Sequence, residues 1–244
     1  PGCGPTEVVQ YLIFELADGD ARRQADEAKR YDSAWALKTL HQVAVGLTQL
    51  HRELIAHQDL KPSNVLTFGA RDTKIADLGR AAAQHTAAPH EHVQIAGDRS
   101  YAPPECLYRE PPHDWLSRRV GCDQYLLGSL VASFFLGSAI TPLVQAKLDP
   151  SHRARGWAGD YTTVLPYVRF ATEEVLADMV DQMPADVADP IRSEIIQMVR
   201  QLCEPDCSLR GHPLDRMAGR NQRSLQRYVS AFDRLGRAVA IRRP

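Results

Sequence analysis

The sequence predicts an α+β fold that is mostly helical and carries one β-hairpin near its front. Apolar residues recur at spacings of three and four over residues 37–50, which is typical of an amphipathic helix. Two short β-rich runs, 65–67 and 74–76, are separated by a Gly-Ala-Arg-Asp turn, which indicates a hairpin. The chain has 244 residues, 44% hydrophobic and 24% charged, so it can bury a sizeable core.

The front of the chain is predicted to alternate between strands and helices. A β-rich apolar run is followed by a turn, a short charged surface helix, and the amphipathic helix, which Asp32 or Ser33 can cap. These elements are predicted over residues 8–16, 18–20, 20–30 and 32–52. Behind the hairpin, residues 80–100 lack apolar periodicity and are predicted to form a long loop.

The back of the chain is predicted to be helical. The segment 120–137 contains an apolar stretch that is too short to cross a bilayer, which takes about 20 residues, and it indicates a helix buried in a large core. Three further helices are predicted over residues 173–182, 189–202 and 224–240, whereas residues 139–171 yield no clear pattern.

Charge and cysteine content narrow the classes of function. The formal net charge is -1 without a basic field, which argues against nucleic acid and anionic membranes as partners. Five scattered cysteines do not suggest a disulfide framework, so a cytoplasmic location is predicted. Cys203 and Cys207 lack a second ligand pair and are interpreted as helix-end residues rather than a zinc site, and the histidines of residues 85–92 as part of a solvated loop.

One string, His-Gln-Asp-Leu-Lys-Pro-Ser-Asn at residues 57–64, carries the residue types that phosphoryl transfer needs. Asp59 can act as the base for an attacking hydroxyl, and Lys61 can offset charge on the transferred phosphate. Asn64 and, farther along, Asp77 of Asp-Leu-Gly supply side-chain oxygens that suit Mg²⁺. The alternative is that these are turn and capping residues, which does not explain their spacing.

The order of three motifs resembles the eukaryotic-type serine/threonine protein kinases. That family has H-R-D-L-x-x-x-N, then D-F-G, then A-P-E, and this chain has HQDLKPSN, DLG and PPE in the same order. The resemblance implies a protein-kinase-like fold, with a mostly α-helical C-lobe, a hinge strand and a catalytic β-hairpin. It implies a partial kinase domain over 1–244, divided into the end of the N-lobe and hinge (1–20), the C-lobe (21–218), and a final helix with a basic tail (219–244). The motif spellings and the high Ala and Arg content suggest a bacterial member.

The resemblance also implies a nucleotide site that uses ATP and Mg²⁺. Backbone groups of Glu15 and Ala17 would bind adenine, and Leu66 would pack under the ring. Lys61 and Asp77 would contact the phosphates and the metal. An Asp-Leu-Lys-Pro string resembles serine/threonine rather than tyrosine kinases, and small-molecule phosphotransferases with a similar loop lack the Pro-Pro-Glu element.

Two structural contacts are implied outside the nucleotide site. Asp123 would hold the backbone of the catalytic loop from the start of the buried helix. Glu105, which ends the Pro-Pro-Glu element, would form an ion pair with Arg210. The alternative is that Glu105 and Arg210 are two solvated surface charges that do not pair.

Three positions depart from the family pattern. Gln58 replaces an Arg that normally pairs with a phosphate on the activation loop, so switching by that charge pair is not expected. Leu78 replaces the central Phe of D-F-G, which is a mild change because Leu is also apolar. Asp98 stands where a Thr is usual, and this second change puts substrate positioning in doubt. The candidate phosphorylation sites are Thr86, Ser100 and Tyr101.

The largest departure is that no glycine-rich loop or strand lysine precedes the predicted hinge. We therefore expect the missing N-lobe to come from the full-length chain or another chain, and the 244 residues alone to bind ATP weakly and to turn over little or not at all. Two hypotheses follow. The favoured one is an active kinase that phosphorylates protein substrates, and the alternative is a pseudokinase or docking module without turnover.

Overall fold

The computed structural model describes residues 11–28, 32–69, 72–87 and 92–241. Helices make up most of this part of the chain, two of them before the hairpin and the others after the small sheets. They are α1 (Ala21–Ala28), α2 (Ser33–Arg52), α3 (Pro104–Leu107), α4 (Gly121–Leu136), α5 (Ile140–Lys147), α6 (Tyr161–Gln182), α7 (Ile191–Leu202), α8 (Pro213–Met217) and α9 (Gln226–Ile241).

The strands are short and form two antiparallel sheets. The first sheet has the order β1-β3-β4, and the second pairs β2 with β5. The strands are β1 (Gly19–Asp20), β2 (Ile55–Ala56), β3 (Val65–Phe68), β4 (Asp72–Ile75) and β5 (Ala82–Ala83). In the first sheet Leu66 lies opposite both Asp20 and Lys74, so it occupies the central strand.

The core is built around α4, whose side chains are buried on every face. A helix without a polar face is stable only when other elements surround it, and here α2 and α7 pack against it. The contact with α7 is close at Gly128, where a Cβ atom would lie 2.5 Å from Cys203 Sγ. Gly137, with φ of 74°, ends the helix in the left-handed conformation that glycine adopts easily.

The predicted α+β fold and the predicted buried helix are confirmed. The hairpin is also confirmed, as β3 and β4, although β3 extends one residue further than predicted and β4 begins two residues and ends one residue earlier. Two of the four predicted turn residues, 70 and 71, lie outside the described residues. The predicted cap of α2 is Asp32, whose Oδ1 accepts a hydrogen bond of 2.8 Å from the Trp35 amide.

The predicted first strand is wrong in its described part. Residues 11–16 form no regular structure, and Tyr11, Leu12 and Ile13 are 79 to 86% exposed. A strand needs a neighbour for its backbone groups, and no described strand lies beside this segment. The strand lies instead at β1, within the predicted turn at 18–20.

Residues 139–171 are better ordered than the sequence pattern indicated. They contain α5 and the first half of α6, which begins at Tyr161 rather than near residue 173. Pro166 lies inside α6 and interrupts the helical pattern of the sequence, but it removes only one backbone donor from the helix.

Among the described residues, no single helix combines the length and hydropathy needed to cross a membrane.

Candidate active site

The loop of residues 57–64 connects the two small sheets, and a buried carboxylate fixes its start. Asp123 Oδ2 accepts a hydrogen bond of 2.8 Å from the His57 amide, and Oδ1 accepts one of 2.7 Å from the Gln58 amide. His51 Nε2 lies 2.8 Å from the same Oδ2. The predicted contact between Asp123 and the loop backbone is thus confirmed. It holds Gln58 at φ of 65°, a left-handed conformation that is costly for a residue with a side chain.

His57 is completely buried, and both nitrogens of its ring form hydrogen bonds. Its Nε2 lies 3.0 Å from the Ala76 carbonyl oxygen, which can only accept, so Nε2 carries the proton. Its Nδ1 accepts a hydrogen bond of 3.2 Å from the Asp59 amide. Through these two bonds the ring joins Ala76, the residue before Asp77, to the backbone of Asp59.

The Asp59 carboxylate is the most highly coordinated group of the site. Its Oδ1 accepts a 2.8 Å hydrogen bond from the Asp98 amide. Its Oδ2 lies 3.3 Å from Lys61 Nζ and accepts a 3.2 Å hydrogen bond from Asn64 Nδ2, which also donates to the Asp59 carbonyl at 2.7 Å. Together these donors fix the orientation of the carboxylate.

Asn64 and Asp77 are brought to the same end of the hairpin. The amide of Ala76 donates a 2.9 Å hydrogen bond to the Asn64 carbonyl, so Asp77 directly follows the point where the two strands join. Asn64 Nδ2 is used by Asp59, and a metal would therefore meet its Oδ1. Asp77 is exposed at φ of 62°, and its Oδ1 also accepts from the Gly79 amide at 3.2 Å. A carboxylate and an amide oxygen at one end of a hairpin fit the ligand preference of Mg²⁺.

The residues predicted for adenine lie at the first sheet. Glu15 is exposed, and its carboxylate forms an ion pair with Lys74, which is opposite Leu66 in the sheet. Ala17 is half-buried, and the next residue, Asp18, donates a 2.9 Å backbone hydrogen bond to Thr67. The structure therefore brings the predicted hinge beside the strand that carries Leu66.

The end of the predicted long loop lies directly against Asp59. At Gly97, a Cβ atom would lie 2.4 Å from the Gln58 carbonyl oxygen and 2.6 Å from Asp59 Oδ1, so only glycine fits. The following residue, Asp98, places its carboxylate 3.8 Å from Lys61 Nζ. Lys61 is therefore shared between two carboxylates.

The predicted ion pair between Glu105 and Arg210 is confirmed and is fully buried. Arg210 Nη1 and Nη2 donate to the two Glu105 oxygens at 2.8 and 2.7 Å. Burial opposes the charge of Arg210, but the contact with Glu105 outweighs it and raises the pKa of Arg210. Loss of either partner would leave a buried charge, at a cost of about 3–5 kcal/mol.

Two contacts of the site carried no signal in the sequence. Arg119 was not predicted, yet it is buried and donates a 2.5 Å hydrogen bond to Gln58 Oε1. Asp98 was expected to disturb the site, but its amide helps to hold Asp59. The sequence alone could not indicate which of the adjacent Arg118 and Arg119 is buried, because two neighbouring charged residues form no periodic pattern.

The other candidate residues are distributed unevenly. Thr86 and Ser100 are exposed, whereas the Tyr101 hydroxyl lies 3.0 Å from Ser133 Oγ and burial raises the pKa of Tyr101.

Burial also raises the pKa of Cys203 and Cys207, which disfavours the thiolate form that zinc needs. Across the described ranges, no three His, Cys, Asp or Glu side chains form a metal-binding group.

Known proteins with similar sequences agree on one family. The family model described as protein kinase domain matches residues 5–217. An Aurora kinase of Debaryomyces hansenii is 30% identical over 128 residues, which cover 52% of this chain and 30% of that protein. Aurora kinase B of Drosophila melanogaster is 33% identical over 160 residues, which cover 60% of this chain and 46% of that protein. CBL-interacting protein kinase 4 of Oryza sativa subsp. japonica is 35% identical over 103 residues, 41% of this chain and 23% of that protein.

The chain spans less than half the length of these curated relatives. The family match, in contrast, extends over most of the chain and includes the loop, the hairpin and the Glu105–Arg210 pair. The kinase-like order of the three motifs, the architecture around α4 and the family match therefore lead to the same conclusion, that the chain belongs to the protein kinase domain family.

Proposed function

We propose that the chain takes part in ATP-dependent phosphoryl transfer to serine and threonine hydroxyls of protein substrates. The observation that carries this proposal is the arrangement around Asp59, which has Lys61 at 3.3 Å and Asn64 at 3.2 Å from one carboxylate oxygen. A carboxylate fixed by several donors can orient an attacking hydroxyl without rearrangement, which is how a positioned base lowers a barrier.

Each residue of the loop has a distinct proposed role. Asp59 would orient the substrate hydroxyl and receive its proton as the new oxygen–phosphorus bond forms and the bond between the γ-phosphorus and ADP breaks. Lys61 offsets negative charge on the transferred phosphoryl group, and its Nζ is already held next to the reacting carboxylate. Asn64 would have a second function, because its amide nitrogen holds Asp59 while its Oδ1, which accepts a 3.4 Å hydrogen bond from Ser63 Oγ, would also meet a metal.

Mg²⁺ would be held by Asn64 and Asp77, and ATP by the predicted hinge. Bound there, the metal would neutralise charge on the ATP phosphates. The backbone of Glu15 and Ala17 would bind adenine, with Leu66 beneath the ring. The position of Leu66 in the central strand of the first sheet supports this arrangement.

The substrate class rests on similarity. The relatives are named as Aurora, cyclin-dependent and CBL-interacting protein kinases, which supports protein substrates. Lys61, two residues after Asp59, supports serine and threonine rather than tyrosine as acceptors.

We propose the same division of the domain as the sequence suggested. Residues 1–20 would form the end of the N-lobe and the hinge, 21–218 the C-lobe, and 219–244 a final helix with a basic tail. The end of the family match at residue 217 supports the second boundary. Elements that cover the phosphates are not among the described residues, so activity is proposed for the natural full-length protein.

A docking function without turnover is the second candidate, and one contact favours it. The Asp98 carboxylate lies 3.8 Å from Lys61 Nζ, where it competes with a phosphate for that cation. Retention of Asp59, Lys61, Asn64 and Asp77 favours catalysis, since a docking surface has no need of all four.

The proposal is tested by nucleotide binding. In the natural full-length protein we expect ATP with Mg²⁺ to raise the melting temperature, because a ligand at about 100 times its Kd stabilises the folded state by about 2.7 kcal/mol. Asp77→Ala should remove the Mg²⁺-dependent part of the shift. The matched control is Asp181→Ala, an exposed aspartate of α6.

Equal shifts in the wild type, Asp77→Ala and Asp181→Ala would contradict the metal site. No shift at saturating ATP and Mg²⁺ in the wild type would favour the docking function.

A further inference from the structure

Gln58 lies next to the proposed base, but its side chain points to two other parts of the chain. Its Nε2 donates a 2.8 Å hydrogen bond to the Arg80 carbonyl, and its Oε1 accepts a 2.5 Å hydrogen bond from Arg119 Nη1. Gln58 and Arg119 are only 4 and 5% exposed. The bond to Arg119 is therefore buried and the bond to the exposed Arg80 is partly buried, so an unpaired group at the Arg119 end would be costly.

The two contacts require an uncharged amide. Arg119 offers donors and the Arg80 carbonyl is an acceptor, so the bridging side chain must accept at one end and donate at the other. A carboxylate cannot donate to the carbonyl, and a cation would oppose the Arg119 guanidinium. Among side chains of this length, glutamine alone satisfies both neighbours.

The elements joined by Gln58 are those that carry the proposed chemistry. Arg80 ends the short turn that follows Asp77, and Arg119 lies in a short π-helix, Leu116–Val120, immediately before α4. Asp123 of α4 accepts a hydrogen bond from the Gln58 amide, so α4 holds the backbone of this residue while Arg119, just before α4, holds its side chain. Gln58 therefore connects the turn that follows Asp77 to the loop that carries Asp59.

We propose that Gln58 is a positioning residue that fixes the turn at Leu78–Arg80 against the catalytic loop through a neutral bridge to Arg119. The proposal rests on the proposed function for its catalytic consequence. Its structural consequence, restricted opening of the turn, does not depend on any turnover.

Three variants separate the two halves of the bridge. Gln58→Glu keeps an acceptor for Arg119 but loses the donor to Arg80. Gln58→Arg keeps a donor for Arg80 but opposes Arg119. Combining Gln58→Arg with Arg119→Gln restores a donor and an acceptor in reversed positions. The matched control is Gln84→Glu, the same change at an exposed position of residues 78–84, the segment whose exchange is measured.

The primary measurement is amide hydrogen exchange in the 244-residue chain. In each single variant we expect exchange over residues 78–84 to rise by roughly tenfold, the size expected for one unpaired buried polar group. The double variant should return to about threefold of the wild type or less, as expected for a restored pair. Gln84→Glu should leave exchange unchanged.

In the natural full-length protein, each single variant should lower kcat with little change in the KM for the protein substrate, and the double variant should recover kcat. Unchanged exchange in Gln58→Glu, or a double variant no better than Gln58→Arg, would overturn the bridge. A uniform rise in exchange that includes α7 would also overturn it, since Gln58 would then be a general fold contact. Absence of transfer in the wild type would contradict the proposed function and leave the exchange result intact.

Discussion

At the scale of single residues, the site depends on how closely two backbone segments approach. Gly97 lies against both the Gln58 carbonyl and the Asp59 carboxylate, and the next amide donates to that carboxylate. Hydrogen bonds from Asp98, Lys61 and Asn64 then fix its orientation. The geometry of Asp59 therefore depends on the absence of a side chain at Gly97 as well as on the donors around its carboxylate.

Gly97→Ala tests this close approach. The new Cβ would lie 2.4 Å from the Gln58 carbonyl oxygen, so the segment must move away and the 2.8 Å bond from the Asp98 amide must lengthen. We expect a loss of about 1–3 kcal/mol in the free energy of unfolding, measured by urea denaturation.

The control is Gly156→Ala, where an added Cβ meets no atom within 4 Å. It should change stability by about 0.5 kcal/mol or less. If both variants behave alike, the close contact at Gly97 does not contribute to stability.

The sequence was most informative where a residue's role follows from its order in the chain. Asp59, Lys61 and Asn64 were predicted as one cluster, and the structure brings them together. The bridge from Gln58 to Arg119 was not predicted, because the two residues are far apart in sequence and neither belongs to a spaced pattern. Such contacts depend on how α4 docks, which a local motif does not encode.

At the scale of elements, α2 is stabilised by a helix beyond the family match. The family model ends at residue 217, whereas α9 begins at Gln226 and packs along α2. The contact face of α9 is apolar and buried, and it includes Tyr228, Phe232 and Leu235. Because α2 leads into the catalytic loop, we infer that α9 supports the site indirectly.

Phe232→Ala tests the contribution of this packing. Phe232 is completely buried, so its truncation should lower the free energy of unfolding by about 3–5 kcal/mol in urea denaturation. The exposed Arg237 of the same helix supplies the control, and Arg237→Ala should change stability by about 0.5 kcal/mol or less. A loss below about 1 kcal/mol in Phe232→Ala would mean that α9 is dispensable for the fold.

The elements were predictable where their periodicity was unbroken. The leucine repeat predicted α2 and its end near Arg52, and the apolar run predicted α4. The first half of α6 was missed because Pro166 interrupts its pattern. The strand expected before the hinge was wrong over residues 11–16, because β-propensity alone does not form a strand without a partner.

At the scale of the whole molecule, the described residues form a helical body with the candidate site at one edge. The small sheets and the segment from Tyr11 to Leu16 lie at that edge, and Phe14 and Leu16 are 79 and 93% exposed. Leu78, beside Asp77, is also 54% exposed. The proposed nucleotide site is thus open within the described structure, which agrees with our proposal that activity belongs to the natural full-length protein.

The most direct test of the proposed function is phosphoryl transfer from γ-labelled ATP to serine- and threonine-containing proteins by the natural full-length protein. We predict measurable transfer by the wild type and by Asp181→Asn, and a decrease of about 100-fold or more in Asp59→Asn, which keeps the size of the side chain but removes the base. Transfer that persists at the wild-type rate in Asp59→Asn, or no transfer by the wild type with Mg²⁺ present, would contradict the account.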